Sequence, residues 1–106
     1  MVTAYEEGSP VIRDHHIVRN PTGIAQAILR GDPSGSYPYV YEMVQESGGT
    51  FVRVSEAEIL EAQARLKELE GLACGYCGAA TIAAAAKLAQ QGQLRSEETV
   101  LLNLTD

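Results

Sequence analysis

Tryptophan is absent from this chain, phenylalanine occurs once, and lysine occurs only at Lys67 and Lys87. Large core-filling side chains are therefore few, and much of the 45% hydrophobic content is alanine. Basic residues number 8 against 14 acidic ones, a net charge of −6, which argues against a nucleic-acid or anionic-membrane partner. No apolar run approaches the roughly 18 residues that a membrane span needs. The start, M-V-T-A-Y-E-E-G, lacks the basic and apolar regions of a secretory signal. Two cysteines without such a signal suggest a reducing, cytoplasmic setting. No G-x-S-x-G, H-E-x-x-H or G-x-G-x-x-G is present. The length of 106 residues suits one small domain.

What is present centres on residues 52–92. Ser55 and Glu58 form an S-x-x-E capping box directly after a β-rich run. Ile59, Leu60, Ala62, Leu66 and Leu69 then recur at helical spacing and predict one apolar face. Gly71 suits a left-handed helix end. A second helix over about 78–91 is rich in alanine, which favours helix and lets another backbone approach closely.

Upstream, residues 1–19 read as an extended N-terminal arm, with 11–18 (V-I-R-D-H-H-I-V) as a short strand or extended stretch. Residues 20–106 read as an α/β segment. Ile24, Ala25, Ile28 and Leu29 form a helical stripe that ends near Gly31. A loop at 32–36 precedes a helix over 37–46, with Pro38 in its first turn and Tyr39, Val40 and Met43 as its apolar side. Residues 50–54 (T-F-V-R-V) and 99–104 (T-V-L-L-N-L) read as strands, the second nearly continuous in apolar residues, as in a buried parallel sheet. The expected fold class is therefore α/β: a short parallel sheet with helices packed on it. The chain stops at the tip of its most apolar strand, where loops carrying chemistry normally begin. It therefore reads as part of a longer protein.

Cys74-Gly75-Tyr76-Cys77 is a C-x-x-C ahead of a helix start, where a thiol pKa can be lowered. A thioredoxin-like fold needs more chain and a proline after the motif, and no proline follows Pro38. The rival reading is a turn of small residues. His15 and His16 together with Cys74 and Cys77 offer four zinc ligands, but adjacent histidines in a strand point in opposite directions. The rival there is a surface pair. Lys67 and Lys87 both read as surface lysines rather than Schiff-base nucleophiles.

Four blocks carry a resemblance: N-P-T-G-I-A-Q-A-I-L-R-G-D-P from Asn20, E-S-G-G-T-F-V-R-V-S-E-A-E-I-L-E-A from Glu46, E-G-L-A-C-G-Y-C-G-A-A-T-I-A-A-A-A-K-L from Glu70, and T-V-L-L-N-L-T from Thr99. In order and spacing they resemble the C-terminal part of fold-type II pyridoxal-phosphate enzymes, in the threonine synthase and cysteate synthase branch. The resemblance implies that Thr105 approaches the pyridine nitrogen of the cofactor, with Cys77 and Gly78 of the nearby turn as further cofactor-binding candidates. The family usually has a glutamate-proline pair and serines where this chain has residues 75–78, and a glycine where it has Asp106. The family's Schiff-base lysine and phosphate loop have no counterpart here, so no catalytic residue and no metal ligand is assigned. The implied function is a fragment or split subunit of an amino-acid lyase or transferase acting at the β or γ carbon, or a thiolase-like relative, inactive alone. Its implied partner is the N-terminal remainder or a partner subunit, and self-association is expected. It is expected to bind no pyridoxal phosphate by itself. The alternative is a redox or zinc-binding module using Cys74 and Cys77.

Overall fold

A computed structural model describes all 106 residues. They form two compact units, one of Met1–Thr22 with Leu29–Arg53, the other of Gly23–Ile28 with Val54–Asp106.

In the first unit, α1 spans Val2–Glu6, a 3-10 turn spans Asp14–His16, and α2 spans Tyr37–Ser47. Pro38 sits in the first turn of α2, where its missing N–H costs nothing, and Gly48 ends the helix at φ 69°. The buried side of α2 is not the expected one. Tyr39 and Met43 are 72% and 66% exposed, whereas Tyr37 is fully buried. Tyr37 and Tyr41 share a face at i and i+4 and join Tyr5 and Phe51 in a ring cluster with centroids 5.0–6.5 Å apart. Both stripes on α2 are apolar enough to be buried, and the aromatic partners on α1 and near residue 51 select one. Gly31 is required by close approach: Val18 N–H donates to its carbonyl at 2.8 Å. A Cβ on Gly31 would lie 2.2 Å from the Val18 carbonyl oxygen.

The second unit is a helical hairpin. Its first helix, α3, spans Glu56–Glu70 and carries the capping box in full. The Glu58 N–H donates to Ser55 Oγ at 3.1 Å, and the Ser55 N–H donates to Glu58 Oε1 at 2.8 Å. Gly71 closes α3 at φ 67°. The second helix, α4, spans Tyr76–Gln90. Ile59, Ala62, Ala79, Ala80 and Ala83 bury between the two helices, with Ala25 against them. Small side chains at this seam let the two backbones approach closely. Of the expected α3 face, Ile59 and Ala62 are buried and Leu66 is half-buried. Leu60 and Leu69 stay 49% and 66% exposed.

Two expectations are corrected. The stripe at 24–29 forms only a 3-10 turn, Gln26–Ile28. Pro21 and Gly31 leave too few residues between them to repay helix nucleation. The larger correction is the fold class. There is no sheet: residues 50–54 and 99–104 form no strand, and the structure is helical with irregular connections. A strand exists only through hydrogen bonds to a neighbour, and within this chain neither segment finds one. The segment at 99–104 leaves Leu101 85% exposed.

Candidate functional site

The turn between α3 and α4 gathers the residues singled out in the sequence. Gly75 is the N-cap of α4, and having no side chain it leaves the first N–H groups of the helix without a local acceptor. Asp106 fills that role from 28 residues further along the chain. The Gly78 N–H donates to its Oδ1 at 2.6 Å and the Cys77 N–H to its Oδ2 at 2.9 Å. The Gly75 N–H donates to the Asp106 backbone carbonyl at 3.3 Å. The positive end of the α4 dipole favours a carboxylate there, and α4 carries no acidic residue of its own in its first turn. From the other side, Gln63 of α3 donates its amide N–H to the Cys74 carbonyl at 2.7 Å, tying the turn to the hairpin.

Space is as important as charge. A Cβ on Gly75 would lie 2.6 Å from Asp106 Oδ2, and one on Gly78 would lie 2.6 Å from Oδ1. Two places where the sequence departs from the pattern it resembles, the glycines of the turn and Asp106, are thus complementary: the aspartate occupies room that only glycines leave. Sequence reading noted both departures separately. No local signal linked positions so far apart.

Thr105, Cys77 and Gly78 are therefore brought to one end of α4. Thr105 is exposed. Cys77 and Gly78 differ: their N–H groups are engaged by Asp106.

Cys74 and Cys77 are free thiols, both partly buried. Burial pushes the Cys74 thiol above its ordinary range, and the Asp106 carboxylate pushes it further. A redox dithiol needs a stabilised thiolate, so this environment works against the redox reading. Lys67 is exposed on α3, as expected of a surface lysine. Lys87 is half-buried, and its Nζ pairs with Glu58 at 3.0 Å. The Lys87 ammonium and the Ser55 N–H together hold the Glu58 carboxyl below its ordinary range, the Ser55 bond being the larger cause. A groove of about 590 Å³ runs along the hairpin, with Glu58, Arg65, Leu69, Lys87, Leu102 and Leu104 in its walls, but none of the three cofactor candidates lines it.

The histidines of the first unit depart from the surface-pair reading. Because Asp14–His16 is a 3-10 turn and not a strand, both rings lie on one side, stacked with centroids 3.9 Å apart. Both aim Nε2 at Glu7, at 2.8 Å from His15 and 3.1 Å from His16. His16 is buried. These three donors lie within 4.8 Å of one another, close enough to surround a metal ion. The hydrogen bonds say otherwise. The Arg13 N–H donates to His16 Nδ1 at 2.9 Å, so the ring proton sits on Nε2, which donates to Glu7 and has no lone pair for a metal. The trio is a clasp around a carboxylate. Hydrogen bonds from His15, then His16, hold Glu7 below its ordinary range. Sequence reading missed Glu7, because nothing local links residues eight and nine positions apart.

Comparison with known proteins places these features in a family. The family profile described as "Pyridoxal-phosphate dependent enzyme" matches residues 1–106. The chain is 36% identical to the threonine synthase of Methanosarcina acetivorans over 101 residues, covering 95% of this chain and 24% of that protein. It is 34% identical to the threonine synthase of Bacillus sp. (strain ULM1) over 99 residues, 93% of this chain and 28% of that one. The figures for the threonine synthase of Halalkalibacterium halodurans are 33%, 93% and 28%. The chain thus spans about a quarter of the length of the curated relatives it matches.

Proposed function

This chain belongs to the pyridoxal-phosphate dependent enzymes, and from that premise we propose that it is the C-terminal part of a threonine synthase-like enzyme. The observation that supports this most is the nearly end-to-end match to threonine synthases, 95% of this chain against 24% of the relative. The reaction is elimination or replacement at the β or γ carbon of an amino acid. Bound pyridoxal phosphate supplies an electron sink for charge that develops at the substrate carbon.

This chain's own contribution would be the Thr105 hydroxyl, a neutral hydrogen-bond partner for the ring nitrogen when the cofactor is bound. A neutral partner leaves the ring short of full protonation and so moderates its pull on electrons. Cys77 and Gly78, at the start of α4, are the further cofactor-binding candidates of this chain. The Schiff-base lysine and the phosphate loop belong to the remaining three quarters of the enzyme, since Lys87 is engaged with Glu58 and Lys67 lies exposed on α3. The partner of this chain is that remainder, attached or as a separate subunit in the cytoplasm. A single hydroxyl bond contributes about 1 kcal/mol net, well short of the roughly 4–15 kcal/mol lost on association. The chain alone therefore binds no cofactor specifically and is inactive.

The test mixes this chain with the N-terminal three quarters of a matched threonine synthase. Cofactor absorbance and amino-acid turnover are expected in the mixture and in neither part alone. Stoichiometric cofactor binding by this chain alone, abolished by Thr105→Val, would overturn the reading.

A further inference from the structure

We propose that Asp106 is a positioning residue. It clamps the end of the 99–105 segment onto the first turn of α4 and so fixes the place of Thr105. Its role in cofactor binding rests on the Thr105 reading above, whereas the clamp itself does not.

Three observations carry the proposal independently. First, α4 begins at Gly75 without a side-chain cap and without acidic residues in its first turn, so its exposed N–H groups need an acceptor from elsewhere. Second, Asp106 meets that need with both carboxylate oxygens and its backbone carbonyl, on Cys77, Gly78 and Gly75. Third, the receiving surface is shaped for it, because a side chain at either Gly75 or Gly78 would place a Cβ 2.6 Å from a carboxylate oxygen. Residues 99–104 have no strand partner in this chain; Leu102 and Leu104 line the groove along the hairpin, and Asp106 adds the hydrogen bonds that tie the C-terminal end to α4. Thr105 is the residue next to the anchor. With both oxygens and the backbone carbonyl of Asp106 pinned, Thr105 loses most of its freedom to swing. Asp106 itself contacts neither cofactor nor substrate. It acts through Thr105.

The experiment has two arms. In the chain alone, hydrogen exchange of the Cys77 and Gly78 amides and the backbone order of Thr105 are measured by NMR for the wild type, Asp106→Asn and Asp106→Ala. Expected for Asp106→Ala is exchange at both amides faster by about tenfold, the ratio set by about 1.4 kcal/mol, together with loss of order at Thr105. Asp106→Asn, which keeps one carbonyl oxygen, is expected to retain part of the protection. Unchanged amides in the middle of α4 show that the variants fold. If Thr105 is equally ordered in Asp106→Ala, the proposal is overturned. In the second arm the chain is mixed with the N-terminal remainder, and cofactor affinity is read for Asp106→Ala, Thr105→Val and the double variant. A double variant no weaker than Thr105→Val alone supports action through Thr105. Additive losses overturn it. If Thr105→Val has no effect, the functional reading fails, and the first arm still decides the clamp.

Discussion

Removing one buried hydroxyl tests the core of the first unit. Tyr37 is fully buried, and its hydroxyl donates to the Ser9 carbonyl at 2.6 Å. Tyr37→Phe keeps the ring contacts with Tyr41 and Phe51 and removes that donor alone. The net worth of such a bond is about 0.5–1.5 kcal/mol, and a buried carbonyl left without a partner costs about 1–3 kcal/mol. A loss of about 1–2 kcal/mol at neutral pH follows. The alkaline limb carries an independent signature. Burial, then the neighbouring Tyr41 and Tyr5, raise the Tyr37 phenol above its ordinary value of 10.0. A raised folded-state pKa means the contribution is fully present below 10.0 and is lost as pH rises from there through the folded value, because the unfolded chain gives up this proton first. The wild type should therefore lose stability above about pH 10 more steeply than Tyr37→Phe, which has no such proton. Urea unfolding followed by near-ultraviolet circular dichroism, which reports the ring cluster, measures both effects. Equal stability at neutral pH together with parallel alkaline limbs would refute a donated bond in a dry site.

Three further outcomes are expected. Ser55→Ala should cost about 1 kcal/mol through lost capping, against about 2–5 kcal/mol for Ile59→Ala in the hairpin seam; equal losses in chemical unfolding would move Ile59 out of the core. The Glu7 carboxyl is lowered from 4.5 by His15 and His16, so its contribution is present above that value and disappears as pH falls through the lower folded value. Glu7→Gln should flatten this acid limb in a pH-dependent melting series. Cys74, raised by burial and by Asp106, should be alkylated more slowly at mildly alkaline pH than a free cysteine, with Asp106→Asn speeding the reaction and leaving the fold intact; an alkylation rate equal to free cysteine would show that the thiol is not shielded.

The readings that held rest on residues close in sequence. The Ser55–Glu58 box, the Gly71 stop and the span of α4 all follow from contacts within one helical turn, and the family resemblance was legible from four short blocks in order. Partnerships over distance were not legible. Nothing at 99–104 says whether a neighbouring strand is present, because a strand is a relation between segments and its residues look alike paired or unpaired. On α2 the pairs Tyr37/Tyr41 and Tyr39/Met43 offer two apolar stripes, and only the ring cluster with Tyr5 and Phe51 decides which goes inward. His15 and His16 share one side because the backbone turns there. Asp106 reaches the start of α4 because the tertiary fold closes a loop of 28 residues, and Gly75 and Gly78 leave the room for it. By itself the sequence determined caps, stops and lineage, which are written in local spacing. The tertiary structure alone decided which faces are buried, which segments stay unpaired and which carboxylate caps α4, because those depend on distances that no local pattern encodes.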